Sequence, residues 1–259
     1  MSFTRRAILK VAGATVAVTA AAGLLAGGDA IAGSQGPAPA RVSTHEPAYN
    51  LGTVATQLPL DITAYYANKG RTGWAADVAR VDGAALSFLR SHYRHAKKPA
   101  IVLDIDDTSE ETQSTFELAV NYIFDAGIFN DFAFGKKAFV TIQPTLNIAK
   151  WAKAHGIEVF FITGRRSNTV TGKSGATYDQ RVETLADLGA KGYPIDPAHL
   201  ITRPADSTGT AEAYKTAARK TLVDAGFKII INVGDQLSDL NGGFALKTFK
   251  LPNPMYFIP

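Results

Sequence analysis

Residues 101–108 carry the sequence IVLDIDDT, in which a short apolar run ends in three carboxylates and a hydroxyl. Such a run predicts a strand that is buried on both faces of a parallel sheet, and ligands bind beyond the carboxyl ends of such strands. Asp104 and Asp106 are two residues apart, so they lie on the same side of the chain at that edge. The stretch predicts an α/β protein with a doubly wound, Rossmann-like parallel sheet, helices on both faces and a site at this strand end.

The spacing of the two carboxylates suits phosphate chemistry. Two such groups repel each other, so they share a cation or differ in protonation. Asp104 would attack a phosphoryl group and form an aspartyl-phosphate, and Asp106 would protonate the leaving alcohol and then deprotonate the attacking water. For a single aspartate at a strand end, a solvated loop or a helix cap is the ordinary alternative. An EF-hand calcium loop is excluded, because Ser109 and Thr115 stand where it requires glycine and glutamate.

A second strand end supplies candidate phosphate ligands. Residues 159–165, VFFITGR, are an apolar run that ends in a hydroxyl, a glycine and a guanidinium. The side chains of Thr163 and Arg165 can donate to phosphate oxygens, and Gly164 lets the backbone approach them closely. A strand followed by a glycine turn is common in α/β proteins. Taken alone, this segment is therefore weak evidence for a phosphate site.

A third strand end predicts a magnesium site. Residues 229–239, IIINVGDQLSD, place Asp235 and Asp239 after a β-branched run and a glycine. Mg²⁺ usually keeps several waters and needs only a few carboxylates plus a substrate phosphate oxygen. Zinc is disfavoured, because the chain has no cysteine and no histidine lies near the three strand ends.

Between the last two strands, residues 212–222 predict a helix that ends near Gly226. This helix carries Lys215 and Arg219 on one face. One of these cations could bridge the nucleophile and the phosphate, since phosphoryl transfer needs positive charge against the equatorial oxygens. By contrast, residues 172–174, GKS, resemble the end of a P-loop but lack its first glycine, so we interpret them as a polar loop.

In this order, the motifs resemble those of the haloacid dehalogenase-like (HAD) phosphatases. The family's four motifs are matched by residues 104–108 (DxDxT), Thr163 (hydroxyl), Lys215 (lysine) and residues 234–239 (GDxxxD). Within this family the chain resembles subfamily IIIB, the acid phosphatases related to plant vegetative storage proteins. This resemblance lies at residues 97–104, 214–216 and 249–256. The resemblance extends from about Trp74 to the C-terminus.

The resemblance implies a Mg²⁺ ion and the hydrolysis of phosphomonoesters at mildly acidic pH. Asp104 would be the nucleophile and a metal ligand, Asp106 the acid/base and a ligand through its carbonyl, and Asp235 a metal ligand. Asp239 would bind the metal through water or anchor its neighbours. The expected phosphate and substrate contacts are Thr163, Lys215, Thr108, Gly164, Arg165 and Arg219. Some storage-protein relatives lack the nucleophile, whereas Asp104 is present here.

Two further segments can be interpreted in more than one way. Residues 109–134 contain aromatic side chains that could form a substrate-facing wall or cap, although burial in a core is the simpler expectation. These are Phe116, Tyr122, Phe124, Phe129, Phe132 and Phe134. Residues 58–93 have apolar side chains at helical spacing and predict a helical segment that packs across the sheet or forms a small N-terminal cap.

The N-terminus predicts export. Residues 4–10, TRRAILK, precede a stretch rich in Ala, Gly and Val that ends in AIA before Gly33. This pattern resembles a cleaved twin-arginine signal peptide, with a permanent membrane anchor as the alternative. The expected organisation is a signal peptide over 1–32, a flexible leader over 33–50 and a phosphatase domain over 51–259. The predicted location is secreted, with the twin-arginine export machinery as a partner and membrane contact only during export.

The composition of the chain gives no indication of nucleic-acid binding and excludes disulfide bonds. The 259 residues include 27 Lys and Arg against 23 Asp and Glu, and removal of residues 1–32 would leave 24 against 22. No Lys/Arg-rich run with interleaved aromatics indicates nucleic-acid binding. Without cysteine, an exported chain relies on its core rather than on disulfides.

The leading hypothesis is a secreted Mg²⁺-dependent acid phosphatase that acts on a small-molecule phosphomonoester. One alternative is a phosphotransferase or nucleotidase with the same covalent intermediate. The other is a non-catalytic, metal-binding envelope or storage-like protein, which loss of Asp104 or Asp106 would favour, and both are present.

Overall fold

The computed structural model describes Ala40, residues 42–47 and residues 58–258, all within one compact unit that spans Gly33–Pro259. Its strands, in chain order, are β1 (Pro99–Leu103), β2 (Glu110–Glu111), β3 (Val140–Thr141), β4 (Glu158–Arg166), β5 (Thr169–Thr171), β6 (Thr177–Asp179), β7 (Leu200–Arg203), β8 (Lys228–Gly234) and β9 (Ala245–Lys250). Its α-helices are α1 (Leu58–Ala67), α2 (Trp74–His92), α3 (Ala126–Asn130), α4 (Gln143–Ala154), α5 (Gln180–Ala190), α6 (Ala211–Asp224) and α7 (Leu237–Leu240). Short π-helical segments cover Gln113–Glu117 and Asp131–Lys136, and 3₁₀ turns cover Tyr93–His95 and Pro197–His199.

Five strands form a parallel sheet in the order β7-β4-β1-β8-β9. The chain moves outward from β1 through β4 to β7, and then returns to the other side of β1 for β8 and β9. The strand order therefore reverses between β1 and β8, which is where ligands bind in open α/β sheets. Because α2, α4 and α5 cover one face and α6 covers the other, the predicted doubly wound fold is confirmed.

β1 illustrates why its sequence forms a central strand. Ile101 and Leu103 pack on the side of α2, α4 and α5, whereas Ala100 and Val102 pack on the side of α6. All four side chains are at most 2% exposed. Burial on both faces explains why the run is uniformly apolar rather than alternating. Each fully buried large aliphatic side chain stabilises the fold by about 1.5–3 kcal/mol.

The segment 58–93 forms two helices, α1 and α2, separated by residues 68–73. At Gly73 a Cβ would lie 1.8 Å from the carbonyl oxygen of Asn68, so this turn requires glycine and interrupts the helical spacing. α2 packs beside α4 against the sheet through its buried face. It is therefore a packing element, which is one of the two roles that the sequence predicted.

The aromatic residues of segment 109–134 form a cluster of their own beside the main core. The aromatic cluster consists of Phe116, Ala133, Phe134 and Phe139, with Val120, Ile128, Phe129, Phe132, Val170 and Tyr178 packed around them. It joins the segment that follows β1 to the β5–β6 hairpin that follows β4, so it borders the carboxyl edge of the sheet. Two residues are exceptions: Phe124 is 67% exposed, and Tyr122 packs against the separate cluster formed by α1 and Met255. Phe116 and Phe134 are thus buried and Phe129 and Phe132 are partly buried, so four of the six aromatics pack in a separate small core.

The described N-terminal residues contact the domain. The N–H of Ala40 donates to the carbonyl of Thr248 (2.8 Å), and His45 contacts Asp77 through both its ring and its main-chain N–H. These contacts lie within the stretch where the sequence predicts a flexible leader. The predicted signal peptide over 1–32 lies outside the described residues and stays a prediction. None of the described helices is long and apolar enough to cross a membrane.

Candidate active site

The candidate site lies at the carboxyl ends of β1 and β8, where the strand order reverses. Asp104 follows β1 directly, and its N–H donates to the Val233 carbonyl (3.1 Å), which continues the pairing of the two strands. Asp235 follows β8 directly, and Asp239 lies on the short helix α7. The three aspartates are buried, and each offers a carboxylate oxygen within 4.8 Å of the others. The predicted convergence of these acids is therefore present.

Lys215 lies between two of these carboxylates. Its Nζ donates to Oδ1 of Asp104 (2.5 Å) and to Oδ1 of Asp239, and its side chain is 7% exposed. Burial acts to lower the pKa of Lys215, but the two carboxylates outweigh it and raise this pKa, so the ammonium is charged. Among the described residues, no donor reaches Oδ2 of Asp104. That oxygen remains free to act as a nucleophile or a ligand.

The donor set fits a hard divalent cation. Three carboxylates against one ammonium leave a buried excess of negative charge, which a divalent cation would remove. Burial, followed by repulsion from Asp239, raises the pKa of Asp235 to about 6. Burial also raises the pKa of Asp104 well above its usual range, although Lys215 opposes the shift. A group of oxygen donors without His or Cys suits Mg²⁺ better than zinc.

Gly234 permits the close approach of Asp239 to the end of β8. A Cβ at Gly234 would lie 2.4 Å from the Cβ of Asp239, so any larger residue would displace this carboxylate. Oδ2 of Asp239 also accepts from the N–H of Gln236 (2.8 Å) at the start of α7. Both oxygens of Asp239 therefore accept hydrogen bonds from the protein, one of them from Lys215. The capping turn at the start of α7 thus explains how the GDxxxD spacing brings Asp235 and Asp239 close together.

Three donors hold the carboxylate of Asp235, and the sequence predicted a site role for only one of them. Thr108 Oγ1 donates to Oδ1 (3.0 Å), whereas Asn253 Nδ2 and Gln236 Nε2 each donate to Oδ2 (2.7 Å). The hydroxyl of the buried Thr108 is directed at Asp235, and the predicted contact of this residue with phosphate stays untested. Asn253 lies in the stretch 249–256, which carried a family resemblance but suggested no role for this side chain.

Asp107 holds the sharp turn that follows Asp106. It adopts a left-handed conformation (φ 56°), and its carboxylate accepts from the N–H (3.0 Å) and hydroxyl (2.8 Å) of Thr112. The hydroxyl of Tyr256 also donates to this carboxylate (2.6 Å), although the two residues are 149 positions apart. Burial raises the pKa of Asp107 well above its usual range. The C-terminal residues therefore support the site from two points, which the sequence did not predict.

Of the predicted phosphate ligands on β4, Thr163 is buried and Gly164 faces open space. The buried Oγ1 of Thr163 accepts from the N–H of Arg165 (3.1 Å), which leaves its hydroxyl proton as a donor. Gly164 is exposed, and a Cβ there would meet no atom of the described residues within 4 Å. This space permits the close approach of a phosphate to the backbone.

The guanidinium of Arg165, a third predicted phosphate ligand, is directed at Asp106. It donates to both carboxylate oxygens of Asp106 (Nε to Oδ2 3.2 Å, Nη2 to Oδ1 2.7 Å) and also to Glu110 and Thr184. The side chain of Arg165 is 2% exposed, whereas that of Asp106 is 23% exposed. The described donors of Arg165 are thus engaged with protein acceptors, and its direct contact with phosphate stays a prediction. The Asp106 carboxylate stands apart from the group of three aspartates, and its carbonyl stays a predicted metal ligand.

Arg219 lies on the same face of α6 as Lys215, as predicted, but it contacts the main chain. Its guanidinium donates to the carbonyls of Asp239, Asn241 and Gly243, and the residue is 1% exposed. Burial lowers the pKa of Arg219 to about 10. Its donors join α6 to the turn after α7, and its predicted contact with phosphate stays untested.

Comparison with known proteins gives a consistent result. A family model described as HAD superfamily, subfamily IIIB (Acid phosphatase), matches residues 40–259. Acid phosphatase 1 of Solanum lycopersicum is 31% identical over 195 residues, which cover 72% of this chain and 70% of that protein. The Stem 28 kDa glycoprotein of Glycine max is 46% identical over 88 residues, so the match spans only 35% of that relative and 33% of this chain.

A solved structure shares the fold. The class C acid phosphatase from Bacillus anthracis superposes with a TM-score of 0.60 at 20% sequence identity. The superposition covers 77% of this chain and 85% of that one. At this identity the similarity concerns the arrangement of strands and helices.

Proposed function

The chain belongs to subfamily IIIB of the HAD superfamily, the acid phosphatases, and we propose that it is a secreted, Mg²⁺-dependent enzyme of that kind. It hydrolyses small phosphomonoesters through an aspartyl-phosphate on Asp104. The observation that carries this proposal is the buried group of Asp104, Asp235 and Asp239 around Lys215 at the reversal point of the sheet. This group supports the proposal because it combines a carboxylate with one free oxygen, a buried cation and further carboxylates at the carboxyl end of β1, and Gly164 lies on the neighbouring strand β4.

In the first step, Oδ2 of Asp104 attacks phosphorus, and the ester P–O bond breaks as the new Asp104–phosphorus bond forms. Lys215 holds Oδ1 of the same carboxylate at 2.5 Å, so it orients the nucleophile and provides positive charge beside the incoming phosphoryl group. Thr163 donates its hydroxyl proton to a phosphoryl oxygen. The backbone at Gly164 approaches the same group without steric hindrance.

Asp106 moves the protons. It gives a proton to the departing ester oxygen and then removes one from the water that attacks the phosphoaspartate, which releases inorganic phosphate. Its carboxylate is partly exposed, as a group that contacts both the leaving alcohol and water must be. Arg165 holds both of its oxygens and fixes the orientation of the carboxylate.

Asp104 and Asp235 are the residues that would hold Mg²⁺ through carboxylate oxygens, with the carbonyl of Asp106 as a further ligand. Asp239 anchors Lys215 and the N–H of Gln236, and it would contribute to the ion through water or by holding these neighbours in place. When bound, Mg²⁺ supplies positive charge to the nucleophile and to the phosphate oxygens. Thr108 and Asn253 keep Asp235 in position for this role.

Trapping of the phosphorylated enzyme tests the mechanism directly. Acid quenching during turnover of a radiolabelled phosphomonoester should leave label on the wild-type protein, and hydroxylamine should remove it as expected for an acyl phosphate. Asp104→Asn should carry no label and lose turnover by about a thousandfold or more. Asp206→Asn, at an exposed aspartate, is the matched control and should behave as wild type. Normal turnover in Asp104→Asn would contradict the covalent mechanism.

Chelation tests the metal. EDTA should abolish the release of p-nitrophenol from p-nitrophenyl phosphate, and added Mg²⁺ should restore it. Activity that is indifferent to EDTA would remove the metal from the proposal.

The same assays separate the alternatives. A phosphotransferase would divert the phosphoryl group to an added alcohol, and a nucleotidase would prefer nucleotides within a panel of phosphomonoesters. A non-catalytic storage-like protein would form no labelled enzyme. The presence of both Asp104 and Asp106 in one site favours catalysis.

We also propose that residues 1–32 direct export through the twin-arginine machinery, so that membrane contact is limited to export. Changing both Arg5 and Arg6 to lysine in the full chain should retain the protein in the cytoplasm. Export of that variant at the wild-type rate would contradict this route.

A further inference from the structure

A second set of buried charges ends on Asp106. This ion chain consists of five side chains of alternating charge, Asp106, Arg165, Glu110, Lys191 and Asp187. Each of its four contacts spans 2.7 Å between nitrogen and oxygen. Side-chain exposure falls from 23% at Asp106 to 2% at Arg165 and 0% at Glu110, and it is 13% at Lys191 and 4% at Asp187. The ion chain therefore runs from the edge of the candidate site inward to Glu110 and then back toward the surface at Lys191.

The guanidinium of Arg165 has little freedom to move. Nη1 donates to Thr184 on α5 (3.2 Å), and Nη2 is shared between Asp106 and Glu110. The rings of Phe134 and Phe139, from the aromatic cluster, have centroids 5.6 Å and 5.9 Å from Cζ of Arg165. With these contacts in place, Nε and Nη2 present a fork that accepts the Asp106 carboxylate in one orientation only.

Glu110 is what holds this fork in place. Its Oε2 accepts from Arg165 and its Oε1 from Lys191, each at 2.7 Å, and Lys191 is itself held by Asp187 on α5. Burial raises the pKa of Glu110 against the opposing effects of Arg165 and Lys191. Well-packed apolar residues usually stabilise an interior at least as well as a buried ion pair. Stability alone is therefore a poor explanation for these buried charges.

We propose that Glu110, held by Lys191, is a positioning residue that fixes Arg165 and thereby orients Asp106 for proton transfer to the leaving group. This inference rests on the proposed function, because it takes Asp106 as the acid. Glu110 is not a catalytic residue, since none of its described hydrogen bonds or ion pairs involves Asp104, Asp235 or Asp239.

The dependence of the rate on the leaving group gives a readout that general damage to the fold would not produce. p-Nitrophenolate departs without a proton, whereas an alkoxide must be protonated as it leaves, so only alkyl phosphates require the acid. The value of kcat/KM reports the steps up to the first P–O cleavage. It is therefore insensitive to the later role of Asp106 as a base.

Glu110→Gln tests the inference, because it keeps the size of the side chain and removes its charge. For an alkyl phosphate, kcat/KM should fall by about tenfold to a hundredfold, and for p-nitrophenyl phosphate by less than about threefold. Lys137→Met, which removes a half-exposed partner of Glu183, is the matched control and should change neither value. Equal losses with both substrates, or no loss with the alkyl phosphate, would overturn the inference.

Combination with Asp106→Asn separates this inference from the proposed function. If the two residues act through one proton transfer, Glu110→Gln should cost nothing further in the Asp106→Asn background, whereas additive losses would overturn the inference. If Asp106→Asn itself shows no dependence on the leaving group, the proposed role of Asp106 fails and the inference fails with it.

Lys191→Met provides the same test should Glu110→Gln not fold, because its side chain is only partly buried, at 13% exposure. Its removal frees Oε1 of Glu110 and should produce a smaller loss with the same preference for the alkyl phosphate.

Discussion

Lys215→Met removes the cation that lies between Asp104 and Asp239 while keeping a side chain of similar length. Both carboxylates are buried with Lys215 and share it as a counter-charge. Breaking a buried ion pair by removing one partner costs about 3–5 kcal/mol, because the remaining charge is uncompensated. We therefore expect the free energy of unfolding of the metal-free protein to fall by about that amount.

Mg²⁺ should recover part of this loss. A ligand that binds only the folded state stabilises it by about 2.7 kcal/mol at a hundred times its Kd. Because the variant pocket carries one more uncompensated negative charge, it should bind Mg²⁺ more tightly than the wild type. At one fixed Mg²⁺ concentration, the increase in unfolding free energy should be larger in Lys215→Met. Catalysis should not recover, and kcat should remain lower by about 10²–10³-fold, since one preorganised charge is missing from the transition state.

Urea unfolding followed by tryptophan fluorescence, in EDTA and in Mg²⁺, measures these free energies. Lys220→Met is the matched control, because Lys220 lies on the same helix with its side chain 57% exposed and, among the described residues, forms an ion pair only with Asp224. Its effect should stay within about 0.5 kcal/mol. An unfolding free energy of Lys215→Met within about 1 kcal/mol of wild type in both conditions would refute the argument from buried charge. An unchanged kcat would refute the catalytic role of Lys215.

Three further outcomes are expected. Burial raises the pKa of Asp82 to about 7, so the contribution of this group to stability is fully present below the usual aspartate pKa and is lost as pH rises toward 7. Asp82→Asn should therefore remove about 2–4 kcal/mol of pH dependence over this range in urea unfolding, and an unchanged pH dependence would contradict this role of Asp82. Asn253→Ala should weaken Mg²⁺ binding about tenfold to a hundredfold in calorimetric titration, because Asp235 loses a donor, and unchanged affinity would contradict its role. Gly234→Ala should lower kcat severely, since the new Cβ would displace Asp239, and a normal kcat would show that the turn can adjust.

The parts of the fold and site that the sequence predicts correctly depend on near neighbours along the chain. The apolar run of residues 101–103, followed by Asp104, specifies a doubly buried strand with a carboxylate at its end. Likewise, the 3.6-residue period places Lys215 on the buried face of α6. The bend at residues 68–73 is a local feature that periodicity alone does not reveal.

The partners of the polar side chains depend on tertiary packing instead. Thr108, Arg165 and Arg219 are all suitable donors for phosphate, but in the structure each donates to a protein acceptor that is distant in sequence. Glu110 lies 55 positions from Arg165, and nothing around it in the sequence distinguishes it from a surface glutamate.

By itself, then, the sequence determines the parallel sheet, the edge of the sheet that carries the candidate site and the acids that follow its strands. Strand burial and side-chain alternation are set over a few residues, so they can be predicted from the sequence. Only the tertiary structure decides that Lys215 joins Asp104 to Asp239, that Asn253 holds Asp235, and that Arg165 holds Asp106. The physical reason is desolvation: a buried polar group must bond to whichever partner the packed chain brings within reach, and that partner is not encoded in its neighbours.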